Sequence, residues 1–338
     1  LRTGGAAFLA TLLRQLRGQQ PNNILVGAGD MIGASPVTST LTHDEATVDI
    51  LNQLGLEVTS VGNHEFDRGK AELKRIQTGG CFPGGVIGQD TCLLGGSFPG
   101  AKYSYLSANV VDASSGQPLF PATYVKSFGD IKVAFIGLTL KDTPSVVTAS
   151  GVAGLNFLDE VSTINTYAAQ LRTQGVNAVV VLIHQGGQTT ATTANDKSCP
   201  NVSGQILPIV DALSSNVDVV VSGHTHQEYV CKRNGKLLTQ TGFYGSAVTA
   251  IDLTIQPHGG VIAAEANTVP VVNDQNSTTP ANFPVLAKDA AVDASVQRYV
   301  ALSAGLKNSL AGTITADIKR ALLPNVSTPS RDETAEGP

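Results

Sequence analysis

The sequence has little charge, no excess of basic residues and no long apolar run. Charged residues make up 14% of the 338 positions, whereas soluble domains average about 25%. The 22 basic and 27 acidic residues leave a net charge of −5, so the chain offers no basic platform for nucleic acid or for an anionic membrane. Apolar runs such as 178–183 are far shorter than the roughly 20 residues of a membrane helix, so we expect no transmembrane segment.

Several common catalytic motifs are also missing. The sequence has neither the GxSxG of serine hydrolases nor the GxxxxGK[ST] loop of phosphate-binding NTPases. Its cysteines form no CxxC pair, which argues against a zinc knuckle or a dithiol redox site. Chemistry that depends on these motifs is therefore disfavoured.

The cysteines that are present predict an oxidising compartment. Cys81, Cys92, Cys199 and Cys231 allow three pairings. Pairing between neighbours in the sequence favours Cys81 with Cys92, across a glycine-rich loop, and then Cys199 with Cys231. The alternative is four reduced thiols in a cytoplasmic protein. The disulfide interpretation predicts an extracytoplasmic protein, whether secreted, periplasmic or on the cell surface.

Helical and strand-like segments alternate along the chain. Thr42 and Glu45 have the spacing of a capping box at the start of a helix that ends at Gly55. Turn signals at 129–130 and 234–235 predict two antiparallel hairpins. The apolar periodicity predicts further helices at 9–18, 161–175 and 206–213, and strands at 23–26, 58–61, 178–183 and 217–221.

This alternation predicts an α/β fold with four layers. Buried strand runs combined with hairpins favour two packed sheets of mixed strand direction, flanked by helices in an α/β/β/α sandwich. An alanine-rich segment at 281–310 is helical in pattern and separates the body of the chain, 1–280, from a polar tail at 311–338. We interpret 281–310 as a connector.

Polar residues follow four of the predicted strands. Because open α/β sheets bind ligands at the carboxyl ends of their strands, we expect these side chains to share one site. A single histidine at a strand end is more often a structural residue, but four of the six histidines occur at such ends. Imidazole, carboxylate and amide ligands suit Zn, Mn, Fe or Co. The residues concerned are Asp30, Asn63, His64, Glu65, His184, His224 and His226.

These residues lie in motifs that resemble a known family. Gly29-Asp30, the GNHEFD run at 62–67, Ile183-His184 and the GHTH run at 223–226 occur in that order. They resemble the calcineurin-like metallophosphoesterases, and more closely the secreted bacterial 5'-nucleotidases with their UDP-sugar hydrolase and cyclic-phosphodiesterase relatives. The resemblance extends over almost the whole chain and implies the metallophosphoesterase form of the α/β/β/α sandwich.

The resemblance implies two divalent metal ions, with Zn or Mn favoured over Co or Fe. Asp30 would bridge the two ions, and His226 would bind the first of them. The second ion would be completed by Asn63, His184 and His224.

The resemblance also implies residues that act on the substrate. His64, paired with Asp67, would contact the phosphate and stabilise negative charge in the transition state. Asn63 would contact the substrate as well as the metal, and Glu65 would support the loop. Arg331 would match a phosphate-contacting arginine of the family, although an exposed tail arginine is the alternative.

The sequence departs from the family pattern at both ends. The family's Asp-x-His motif is absent, which leaves only Asp30 and His226 for the first metal. On this interpretation 1–280 is a catalytic domain without its amino-terminal strand, and 281–310 is the helical connector. The tail, 311–338, would then begin a truncated carboxy-terminal domain for nucleotide specificity.

The expected function is hydrolysis of the phosphate ester of 5'-nucleotides by a metal-activated water. The alternatives are hydrolysis of UDP-sugars or 2',3'-cyclic nucleotides, or a non-catalytic secreted protein that binds metal or nucleotide. The expected class is a hydrolase of phosphoric ester bonds, and the chain as given could be inactive through truncation at the two ends. The expected partner is a small nucleotide or phosphate ester, and the sequence leaves the oligomeric state open.

Overall fold

The computed structural model describes residues 2–193, 195–257, 259–275, 283–309, 312–313 and 315. Its helices alternate with strands through most of the chain, as the periodicity predicts. The helices are α1 (Ala6–Gln19), α2 (Val37–Thr40), α3 (Glu45–Leu54), α4 (Gly69–Thr78), α5 (Glu160–Thr173), α6 (Ile206–Ala212) and α7 (Ala290–Lys307). Short 3₁₀ turns lie at His64–Phe66 and Thr143–Ser145.

The strands form two main sheets and two smaller ladders. The strands are β1 (Leu25–Ala28), β2 (Leu56–Ser60), β3 (Ser104–Leu106), β4 (Val110–Asp112), β5 (Thr123–Phe128), β6 (Ile131–Thr139), β7 (Leu155–Phe157), β8 (Ala178–His184), β9 (Val219–Ser222), β10 (Glu228–Arg233), β11 (Lys236–Thr241), β12 (Ala247–Ile255) and β13 (Val261–Pro270). One sheet is mixed and has six strands in the order β10-β11-β9-β8-β6-β5, and the other has three parallel strands in the order β1-β2-β3. The smaller ladders pair β12 with β13 and β4 with β7, both antiparallel.

The two sheets pack face to face with helices outside, which confirms the predicted α/β/β/α layers. Alternate residues of β8 point to opposite faces of the sheet. Val180 and Leu182 pack between the sheets with Val58 of β2 and Leu106 of β3. The other face of the six-stranded sheet packs against α5 and α6, and α3 and α4 cover the outer face of the three-stranded sheet.

Most of the predicted segments are confirmed, but the capping box is wrong. The side chain at the N-cap of α3, Asp44, makes no capping hydrogen bond, and the Thr42 hydroxyl donates to the carbonyls of Thr38 and Ser39. Glu45 is buried and accepts hydrogen bonds from Arg75, Thr91 and the backbone N–H of Cys92. Its partners lie far away in the sequence, so the local spacing was misleading.

Arg75 is the centre of a buried ion network, and its loss is expected to destabilise the fold strongly. Its guanidinium donates to Glu72 and Glu45 at 2.7–2.9 Å, and all three residues are buried. Arg75→Met leaves two buried carboxylates unpaired, so the free energy of unfolding should fall by about 3–5 kcal/mol. Urea titration measures the free energy of unfolding of each variant. The matched control is Arg233→Met, which breaks an exposed pair with Asp211 and should change the free energy by about 0–1 kcal/mol; equal effects would contradict the account.

Two disulfides are formed, in the predicted pairing. Cys81 pairs with Cys92, and Cys199 pairs with Cys231. The second bond closes the longer loop, with a sequence separation of 32.

Removing the Cys199–Cys231 bond is expected to lower stability. In the chain-entropy view, a loop of this length contributes about 3–4 kcal/mol by restricting the unfolded chain. Replacing both cysteines by serine should therefore lower the Tm, and added reductant should then lower it further by breaking Cys81–Cys92. A Tm that neither change moves would contradict a stabilising role.

Helix α7 packs back on the body of the chain. Val292 of α7 is buried against Leu13 and Leu54, and the Tyr299 hydroxyl donates to Asp49 at 3.1 Å. The predicted connector is thus attached to α1 and α3, although the proposed domain boundaries at 280 and 310 stay predictions. Within the described residues, each helix is too short or too polar to cross a lipid bilayer.

Candidate metal centre

Four strands bring polar side chains to one edge of the molecule. Asp30 comes two residues after β1 and Asn63 three residues after β2, which are parallel neighbours. His184 is the last residue of β8, and His224 comes two residues after its parallel neighbour β9. The carboxyl ends of both sheets therefore meet where the sequence predicts a shared site.

The four side chains approach one another closely. Asp30, His184 and His224 offer ligand atoms that all lie within 4.8 Å of one another. The Asp30 carboxylate and the Asn63 amide oxygen are each 3.0 Å from His184 Nε2. The Asn63 oxygen is also 3.1 Å from His224 Nδ1. Two nitrogens and two oxygens therefore converge in a largely buried space.

Two glycines allow this close approach. A Cβ at Gly29, where φ is 85°, would lie 2.7 Å from His184 Nδ1 and 2.8 Å from Gly62. A Cβ at Gly62 would collide with the backbone and side chain of Asp30. Side chains at either position would separate the ends of β1 and β2, so the glycines beside Asp30 and Asn63 have a steric explanation.

The surroundings fix the ring of His184. The carbonyl of Ala28 lies 2.7 Å from His184 Nδ1, so Nδ1–H can donate to it and leave Nε2 facing Asp30 and Asn63. Such a hydrogen bond on the far nitrogen is the usual support of a metal-binding histidine. Burial lowers the pKa of His184, but the hydrogen bond and charge of Asp30 outweigh it, so this pKa lies above its usual value.

The surroundings lower the pKa of both Asp30 and His224. Burial raises the pKa of Asp30, but the hydrogen bond and charge of His184 outweigh this and leave it below its usual value. Burial, followed by the charge of His184, lowers the pKa of His224. A deprotonated carboxylate and a neutral imidazole are the forms that bind metal.

Glu65 supports the loop, as expected. Its buried carboxylate accepts hydrogen bonds from the backbone N–H groups of Asp30, Met31 and Gly62 at 2.6–2.9 Å. Burial and then repulsion from Asp30 raise the pKa of Glu65 to about 7. The carboxylate thus fixes the turn that presents Asp30.

His64 and Asp67 form a pair next to the donor cluster. His64 Nδ1 is 2.8 Å from the Asp67 carboxylate, and both side chains are more than a third exposed. The hydrogen bond to Asp67 raises the pKa of His64 to about 9, although burial opposes the shift. The backbone N–H of His64 donates to Asp30 at 3.0 Å, which ties the pair to the cluster.

His226 lies outside the group of converging ligand atoms. Its ring stacks on Phe243, with 5.2 Å between ring centroids. Sequence reasoning missed Phe243 and its neighbour Tyr244 because they lie in a turn with no helical or strand periodicity. The available signal was two adjacent aromatics between glycines. Arg331, predicted as a phosphate contact, lies outside the described residues.

Comparison with known proteins identifies the family of this site. The sequence profile of calcineurin-like phosphoesterases matches residues 2–228, which is more than half of the chain. The chain belongs to this family. Its members are hydrolases that act on phosphoric ester bonds, and they use divalent metals.

Relatives and a solved structure agree with this assignment. The phosphoesterase is 29% identical to endonuclease YhcR of Bacillus subtilis over 334 residues, covering 99% of this chain and 25% of that protein. It is 30% identical to a probable 5'-nucleotidase of Treponema pallidum over 228 residues, covering 66% of this chain and 31% of that protein. It thus spans about a third or less of either relative. A 5'-nucleotidase precursor of Thermus thermophilus shares the fold, with a TM-score of 0.67, 21% identity and coverage of 91% of this chain and 55% of that one.

The donor set of the phosphoesterase fits a divalent ion. Asp30 and Asn63 present oxygens, and His184 and His224 present ring nitrogens, toward a common space. Mixed nitrogen and oxygen ligands of this kind suit borderline divalent metals. These atoms are well placed to bind the metal that the family uses.

Proposed function

We propose that this chain is the catalytic domain of a metal-dependent phosphoesterase that hydrolyses the phosphate ester of 5'-nucleotides. The convergence of Asp30, Asn63, His184 and His224 carries the proposal. The match to the probable 5'-nucleotidase of Treponema pallidum supports nucleotides as the substrate class.

The proposed site holds two divalent ions, either Zn or Mn. Asp30, Asn63, His184 and His224 would hold one of them. Asp30 and His226 would contribute to the other, with the carboxylate of Asp30 shared between the two. When bound, a divalent ion supplies a Lewis acid for a phosphoryl oxygen and lowers the pKa of coordinated water.

The chain's own residues would bind and orient the phosphate. Asp67 holds His64 through Nδ1, which leaves Nε2 free to contact a phosphoryl oxygen. Asn63 would contact the ester while remaining in the donor cluster. A fixed donor aimed at developing negative charge stabilises the transition state more than the ground state.

A second candidate is hydrolysis of phosphodiesters. The match to endonuclease YhcR extends over 99% of this chain, farther than the nucleotidase match. A nucleic-acid diester and a 2',3'-cyclic nucleotide both carry a phosphate that the same donor cluster could hold. The net charge of −5 disfavours the polymeric substrate.

The disulfides support an extracytoplasmic location. Cys81–Cys92 and Cys199–Cys231 would both persist in an oxidising compartment and be at risk in the cytosol. We therefore propose that the phosphoesterase acts on nucleotides or other small phosphate esters outside the cytoplasm.

Substrate profiling tests the proposal. The 338-residue chain is treated with chelator and assayed, with and without added Mn²⁺ or Zn²⁺, on AMP, UDP-glucose, 2',3'-cyclic AMP and single-stranded DNA. We expect no turnover after chelation, recovery with metal and the highest kcat/KM for AMP. Faster hydrolysis of a diester would favour the second candidate. Metal binding without hydrolysis of any ester would favour the non-catalytic alternative and contradict the proposal.

A further inference from the structure

Two exposed aromatic side chains lie beside the candidate metal centre. Phe243 and Tyr244 occupy the turn between β11 and β12 and are 49% and 72% exposed. Phe243 stacks on His226 with an interplanar angle of 25°, and Tyr244 meets Phe243 edge to face at 5.0 Å. The His226 ring also lies 6.1 Å from the ring of Tyr244, and His226 follows His224 by two residues, so the aromatic pair is connected to the donor cluster through His226.

The backbone at Tyr244 is strained. Its φ of 52° lies in the left-handed region, as do those of Gly242 and Gly245. A side chain in this conformation costs about 1–2 kcal/mol relative to glycine. Because Tyr244 is mostly exposed, burial of its ring returns little of that free energy. Folding alone therefore does not explain an aromatic residue at this position.

Hydrogen bonds hold the turn in one shape. The backbone N–H and the hydroxyl of Ser246 both donate to the carbonyl of Phe243, at 3.0 and 2.7 Å. The backbone N–H of Gly242 donates to the carbonyl of Gln227 at 2.7 Å, which ties the turn to the segment that follows His226. The aromatic surface is thus ordered in advance, which lowers the entropy cost of binding.

We propose that Tyr244, with Phe243 at its edge, is a stacking surface for the planar base of the phosphate ester. The inference rests on the proposed function, because the phosphate must lie at the donor cluster. In a nucleotide the pentose separates the base from the phosphate, so a base stacked on Tyr244 would belong to the same ligand as a phosphate held at the donor cluster. An aromatic ring can stack on any of the bases. The surface would therefore favour phosphate esters that carry a planar base, without selecting one particular nucleotide.

A matched pair of substrates and a matched pair of variants test this surface. AMP and ribose 5-phosphate share the phosphate and the sugar and differ in the base. In Tyr244→Leu, the ratio of kcat/KM for AMP to that for ribose 5-phosphate should fall about 5- to 150-fold, the range for loss of one stacked base. Tyr244→Phe keeps the ring and should keep the ratio. If the chain does not turn these compounds over, calorimetric titration of both into the Mn²⁺-loaded chain measures the corresponding ratio of Kd values.

The outcomes separate this inference from the proposed function. An unchanged ratio in Tyr244→Leu, whether both kcat/KM values stay the same or fall equally, overturns the stacking surface without contradicting the proposed function. If the unaltered chain hydrolyses neither compound, the proposed function fails. In that case tighter binding of AMP than of ribose 5-phosphate, abolished by Tyr244→Leu, would still support the surface, and equal binding would overturn it.

Discussion

Replacing Asp30 by Asn is expected to lower metal-dependent kcat/KM by at least about 10³-fold. Asp30 supplies the carboxylate of the donor cluster, 3.0 Å from His184 Nε2. Its φ of 55° is left-handed, a conformation that Asn tolerates as well as Asp does. The substitution therefore removes the charge and keeps the shape of the turn.

Thermal unfolding shows whether the loss comes from the metal site or from the fold. Without metal, the Tm should change little, because relief of the repulsion between Asp30 and the buried carboxylate of Glu65 opposes the loss of the ion pair between Asp30 and His184. Added Mn²⁺ should raise the Tm of the unaltered protein but not that of Asp30→Asn, because an ion stabilises only the state that binds it. Asp252→Asn, on the exposed side of β12, is the control and should behave like the unaltered protein. Activity of Asp30→Asn within about tenfold of normal would contradict its role.

Replacing His64 by Gln is expected to lower kcat by about 10²–10³-fold while metal binding stays intact. His64 contacts Asp67 through Nδ1, and only its backbone N–H contacts Asp30. Its ring therefore has the freedom to bind a phosphoryl oxygen without being a ligand. Because the ring is partly exposed, its loss should leave the Tm nearly unchanged.

Metal affinity distinguishes this role from that of a ligand. The Mn²⁺ concentration for half-maximal activity should be the same in His64→Gln as in the unaltered protein. Asp67→Asn should show a smaller loss of kcat, about 10- to 100-fold, since Asp67 acts by holding the ring. If metal affinity falls in parallel with kcat in His64→Gln, His64 is a ligand and the assignment is wrong.

The layers and the location of the site could be predicted from the sequence because both follow from periodicity. β1, β8 and β9 are short, mostly apolar runs, β2 mixes apolar and polar residues, and each strand ends at or just before a polar residue of the site. Parallel strands place such ends at one edge, so Asp30, Asn63, His184 and His224 could be grouped before any distance was known.

The features that could not be predicted depend on contacts between parts of the chain that are distant in the sequence. Glu45 has the spacing of a capping residue, yet it pairs with Arg75 and Thr91, 30 and 46 positions away. Phe243 and Tyr244 follow neither a helical nor a strand period, so their position beside His226 emerges only from the packed loops. The stacking of His226 on Phe243 is likewise a matter of side-chain orientation, which residue spacing does not determine.

The most direct test of the central claim is an anomalous difference map from crystals of the chain soaked in Mn²⁺ or Zn²⁺. We predict a peak enclosed by Asp30, Asn63, His184 and His224, which is lost in crystals of Asp30→Asn. An ion bound elsewhere, or a space between these four side chains that stays empty at saturating metal, would contradict the account.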